Sequence, residues 1–134
     1  MNYNNIFFSQ IPQQARPDYS VNIPISLMKS IEGKYFVGTA PGLEFGNATH
    51  AWARLYNPPN SGVNLFVNAW TVSDIYSTPY SVQIWFNTTP PGFIQVSQSV
   101  TPSNLAIVPQ PKSQVQLQYA IMVSGLPRGG IKAY

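Results

Sequence analysis

Few side chains in this sequence could carry a proton, hold a metal or act as a nucleophile. His50 is the single histidine, the carboxylates are Asp18, Glu32, Glu44 and Asp74, and there is no cysteine. A serine triad would have to recruit His50 with Asp18 or Asp74, yet no Gly-x-Ser-x-Gly elbow or other nucleophile motif accompanies it. A glycosidase pair needs two carboxyls facing one bond, and no two of the four acids are neighbours in the chain. One histidine without cysteine falls short of a four-ligand zinc site, and the loops lack the dense oxygen ligands that calcium takes. The expectation is therefore no catalytic residue, no metal, no small-molecule cofactor and no enzymatic activity.

The side chains that remain informative are aromatic. Trp52, Trp70 and Trp85 each fall in a strand-like stretch. Flat rings of this kind either stack on a sugar or fill a core or subunit interface, so these three are candidate ligand or interface aromatics. Asn47-Ala48-Thr49 and Asn87-Thr88-Thr89 match the N-glycosylation pattern, which an Asn- and Thr-rich chain also meets by chance.

The elements that position these residues follow from composition and period. A chain of 134 residues with 44% hydrophobic side chains suits one core. Only 8% of residues are charged, against about 25% in a typical soluble domain. Asn, Gln, Ser and Thr supply the polar surface instead, and such a surface does little to repel its own copies. The net charge of +3 comes from scattered cations, Arg16, Lys29, Lys34, Arg54, Lys112, Arg128 and Lys132, which form no phosphate-binding cluster. Nucleic acid is not an expected partner. No apolar run approaches the ~18 residues of a membrane helix, and the first residues lack the basic start and apolar stretch of a signal peptide.

Residues 1–25 read as an extended arm: Pro12, Pro17 and Pro24 prevent a long helix, and Ile6, Phe7, Phe8 and Ile11 are the apolar side chains available to dock it. Whether it docks on its own domain or on a neighbour is open at this stage. Ile25–Ile31 fits either a single helical turn or an edge strand. Residues 26–134 read as a β-sandwich, with expected strands at Lys34–Thr39, Ala48–Asn57, Gly62–Val72, Ser81–Asn87, Phe93–Val100, Asn104–Val108, Gln114–Ser124 and Gly130–Tyr134. In the last strand but one, Val115, Leu117, Tyr119, Ile121 and Val123 share one face and Gln114, Gln116 and Gln118 the other. Turn signals separate the strands at Pro41-Gly42, Gly46-Asn47, Asn57–Gly62 and Pro90-Pro91-Gly92. About eight antiparallel strands in this length predict an all-β, jelly-roll-like sandwich, an immunoglobulin-like sandwich having a similar strand count.

The stretch from Gly33-Lys34-Tyr35-Phe36-Val37-Gly38-Thr39 through Trp52, with Asn57-Pro58, Ser61–Asn68 and Gln83–Asn87, resembles an uncharacterised small domain family of spore-forming bacteria. The architecture, an extended arm before a β-sandwich, is similar to that of endospore appendage subunits, jelly-roll domains with an N-terminal connector. That resemblance implies a self-assembling structural subunit of a spore-surface fibre, whose arm inserts into a neighbouring copy. Its implied partners are copies of itself, as trimeric rings stacked into a fibre, and other spore-surface proteins. Some appendage subunits cross-link their connectors through cysteine; with none here, a fibre of this chain is noncovalent. The implied location is the spore surface, reached without a classical signal peptide, and a cytoplasmic protein fits the same observation. A carbohydrate- or ligand-binding sandwich and a virion structural protein are the alternatives.

Overall fold

The computed structural model describes residues 20–75 and 78–134, and within them the chain is an all-β, antiparallel, sandwich-like domain preceded by one short helix. The candidate arm residues Ile6, Phe7, Phe8 and Ile11 lie outside the described residues.

Helix α1 (Ile25–Ile31) settles the ambiguity at that position in favour of a helix. Pro24 occupies its N-cap, where a missing N–H costs nothing. The stop is at Gly33, which takes φ 70° and donates its N–H to the Ser30 carbonyl (3.0 Å) while Lys34 N–H reaches back to Lys29 (2.8 Å). Those two bonds make a Schellman turn, whose left-handed residue is usually glycine. A Cβ on Gly33 would also lie 3.0 Å from Ile107 and from Pro111, so the turn packs closely on that loop. None of the helical residues is buried.

Seven strands follow among the described residues: β1 (Phe36–Gly38), β2 (His50–Tyr56), β3 (Trp85–Phe86), β4 (Gln95–Val96), β5 (Val100–Pro102), β6 (Gln116–Val123) and β7 (Ile131–Lys132). They form three antiparallel sheets, β1–β5, β2–β6–β4 and β3–β7. Strand β6 is the centre of the largest sheet and contributes Leu117, Ala120 and Val123 to the core, with Pro102 of β5 also buried. Leu117 faces the β1–β5 sheet, where a Cβ on Gly38 would meet Leu117 at 3.1 Å and Val100 at 3.2 Å. Ser97 ties the two layers together by donating its hydroxyl to the Thr39 carbonyl at 2.6 Å.

A bulge redirects the end of β6. The register passes from Trp52↔Ala120 to His50↔Val123, so Ile121 and Met122 together oppose Ala51. Met122 takes the left-handed φ of 52° that this irregularity imposes. One extra residue switches every later side chain to the other face. Val123 therefore leaves the row of Leu117, Tyr119 and Ile121 predicted from the alternation and joins Ala120. Both then meet the Pro91-Gly92 turn: Gly92, at φ 89°, has Val123 where its own Cβ would stand and Ala120 at ordinary contact distance from that point.

Other expectations are corrected. Gly62–Val72 forms no ladder, and Asn104–Val108 is a turn region in which Asn104 Oδ1 accepts from Ala106 N–H at 3.1 Å. Phe93–Val100 is divided, because Ser97 Oγ accepts from Ser99 N–H at 3.1 Å and turns the chain between β4 and β5. Small polar side chains offer the backbone an alternative to the ladder, which is why these stretches yield short strands. Ser81–Asn87 contracts to β3, supported by the bond from Ile84 N–H to the Tyr134 carbonyl at 3.0 Å.

Candidate interaction surface

Along β2, period two places Trp52, Arg54 and Tyr56 on one face. The Arg54 guanidinium lies 5.7 Å from the Trp52 ring centre and 4.8 Å from that of Tyr56, a cation held between two π faces. Its Nε donates to Gln118 Oε1 at 2.8 Å, and Gln118 Nε2 donates to Gln116 Oε1 at 2.7 Å. Gln118 is only 6% exposed. Of the glutamine row, Gln118 is thus an interior residue, Gln116 half-buried and Gln114 exposed, and the cross-strand register sets Arg54 directly opposite Gln118. Trp52 completes this face by donating Nε1–H to the Pro91 carbonyl at 2.7 Å. Arg54 was not among the residues singled out from the sequence. The signal was the Trp-x-Arg-x-Tyr spacing, which puts the cation between two rings wherever the stretch is a strand.

The three tryptophans occupy three separate elements. Trp52 lies in the central sheet, Trp85 in the β3–β7 ribbon with its Nε1 on Gln83 Oε1 at 3.2 Å, and Trp70 in the segment after the Asn57–Gly62 turn. His50 is exposed at the start of β2, and Glu32 ends α1 between Lys29 (2.9 Å) and Lys34 (3.1 Å). Those two ammonium groups hold the Glu32 carboxyl below its ordinary range. Among the described residues no three His, Cys, Asp or Glu side chains gather at one point, and no helix is long and apolar enough to cross a membrane. An open cleft of about 370 Å³ lies beside β4, β5 and the start of β6, and Lys112 is the titratable side chain in its lining.

What distinguishes this surface is its apolar extent. Ile25, Leu27, Met28 and Ile31 of α1 are exposed, as are Phe86 and Ile131 of the β3–β7 ribbon. A two-stranded ribbon is marginal by itself in water and needs a further strand or layer.

The largest concentration follows β2. Asn57 Nδ2 donates to the Val63 carbonyl at 2.8 Å and Ser61 Oγ to Asn57 Oδ1 at 2.7 Å, which closes the turn. Beyond it Phe66 is 88% exposed and Trp70 54%, with Val63, Leu65, Val67 and Val72 also open to solvent. Among the described residues no backbone-to-backbone hydrogen bond outside the turn is made from 63 to 72, and Asn68 Nδ2 donates across to the Tyr35 hydroxyl at 3.1 Å.

A family model described as a family of unknown function, DUF6143, matches residues 9–134. No curated protein and no solved structure matches the chain.

Proposed function

The chain belongs to the DUF6143 family, and from its geometry we propose that it is a self-assembling structural subunit, linked to copies of itself by insertion of its N-terminal arm into a neighbour. The observation that carries this reading is the large apolar side chains left exposed on the described residues, among them Phe66, Trp70, Phe86 and Ile131. Monomeric soluble proteins rarely leave contiguous apolar patches of more than a few hundred Å² open, and larger ones mark association sites. Here large apolar side chains are exposed at Val21 and Ile23, along α1, in the segment after β2 and on the β3–β7 ribbon. Low charge supports the same reading, since it removes the repulsion that keeps copies apart.

In this proposal Ile6, Phe7, Phe8 and Ile11 are the connector's docking side chains, each contributing about 1.5 to 3 kcal/mol on full burial before the costs of association. Head-to-tail insertion is heterologous and builds a filament when the operation does not close. A fibre on a spore surface, with trimeric rings as repeating unit and a complete jelly roll in each subunit, is the specific form we assign.

Negative-stain electron microscopy of the full-length chain beside a version lacking residues 1–24, at matched concentration, tests this. Fibres from the first and only discrete rings or monomers from the second are the expected result. Identical dispersed particles in both samples would overturn it and bring forward a ligand-binding sandwich using Trp70 or Trp85, checked by glycan binding of Trp70→Ala and Trp85→Ala.

A further inference from the structure

We propose that residues Val63–Val72 are a strand that forms only between molecules, pairing edge to edge with a second copy of this chain. The inference rests on the self-assembly reading above and names a surface for it that is separate from the arm.

Four observations converge on it. First, the segment alternates as a strand does, with Val63, Leu65, Val67 and Ala69 on one face and Asn64, Phe66, Asn68, Trp70 and Val72 on the other, yet it has no ladder partner among the described residues. Second, its apolar side chains are exposed on both faces, so neither face is covered by a layer of the described residues. Third, it lacks the devices that keep exposed strands from pairing: from Gly62 to Ser73 there is no Lys, no other charge and no Pro. A strand without such protection in an otherwise ordered chain is one that its working state covers. Fourth, Phe66 at 88% and Trp70 at 54% exposure are large rings of the kind that interfaces bury as anchors.

A second copy is the occupant that fits. The segment presents amides and apolar groups with no charge to be complemented, and a foreign charged partner would find nothing to pair with. A copy brings open edges of its own: among the described residues β2 ends its sheet with only β6 beside it, and each strand of the β3–β7 ribbon pairs on one side. Main-chain bonds along such an edge supply affinity, and Phe66 and Trp70 supply the buried anchors.

The test is hydrogen exchange with mass spectrometry on the full-length chain from dilute to concentrated solution, with sedimentation velocity on the same samples. Amides 64–72 are expected to slow by roughly tenfold or more as oligomers appear. Phe66→Lys is expected to weaken association by about 10- to 100-fold, and Phe66→Leu to retain most of it. Protection of 64–72 that is the same at every concentration would mean an internal hairpin with β2 and overturn the proposal. So would oligomers in which these amides stay unprotected, or a chain that stays monomeric throughout. Concentration-dependent protection without fibres by electron microscopy would uphold this strand while removing the fibre reading, so the two fail separately.

Discussion

Two stretches of this chain carry nearly the same strand signature and meet opposite fates. Gln114–Ser124 and Gly62–Val72 both alternate over about ten residues, both lack proline and both hold amide side chains on one face. The first becomes β6, paired on both sides and holding Leu117, Ala120 and Val123 out of solvent. The second forms no ladder and leaves Phe66 and Trp70 open. Alternation states a capacity to pair; whether it is used depends on an available edge. Strand β6 finds β2 and β4, while the Asn57–Gly62 turn, locked by Asn57 and Ser61, delivers its segment to none among the described residues.

The sharpest way to break this comparison is to truncate one leucine in each stretch. Leu117→Ala is expected to cost about 3 kcal/mol, since it opens a cavity between the central sheet and β1–β5. Leu65→Ala in the dissociated chain should stay within about 0.5 kcal/mol, the range of an exposed substitution. Urea denaturation at low concentration measures both. Equal losses would show that the second stretch is packed within one chain.

Next in size is Gly92→Ala, expected to cost about 2 kcal/mol because its Cβ would overlap Val123 and because φ 89° is unfavourable for any side chain. Combining it with Val123→Ala should cost less than the sum of the two single changes, and a double-mutant cycle in urea reads that coupling. Additive costs would mean that the β6 bulge does not seat Val123 on this turn.

A smaller effect attaches to the bond between Arg54 and Gln118. Arg54→Met leaves Gln118 Oε1 without its donor in a buried position and should cost about 1 to 2 kcal/mol. Adding Gln118→Leu should recover part of that loss, because an apolar pair has no bond left unmade. Thermal unfolding of the three variants distinguishes this from simple loss of packing, for which the double variant would be the worst.

The smallest effect belongs to Glu32. Its carboxyl is held below the usual range by Lys29 and Lys34, so the stabilisation it supplies is present above its unfolded pKa and fades as the pH falls through the lower folded value. An NMR titration of the Glu32 side chain should show that depressed midpoint, and added salt should raise it toward the ordinary value, since the pairs are exposed. Glu32→Gln should leave stability nearly unchanged at neutral pH.

Much of the fold was legible from local chemistry. Each of the turn signals contains a residue in the left-handed region, Gly42, Asn47, Asn60 with Gly62, and Gly92, and glycine and asparagine enter that region at little cost. The all-β class followed from the period of two, which is a property of the pleat itself. Less legible was how far each strand runs. Ser97 and Asn104 end strands by bonding to nearby backbone, a competition that hydrophobic pattern does not weigh. Of the candidate residues, Trp52 proved to belong with Arg54 and Tyr56, a grouping written in their spacing but easily passed over when only the tryptophans are followed.

By itself, then, the sequence determined the class of structure, the positions of the turns and the scarcity of charge, because each of these depends on a residue and its immediate neighbours. Only the tertiary structure decided which strands pair and which way Val123 faces. It also decided that Gln118 is buried and that the stretch after β2 has no ladder partner among the described residues. Those outcomes depend on register, and register is set by contacts between residues far apart: a single bulge opposite Ala51 reverses a face, and a single opposed arginine makes a glutamine an interior residue.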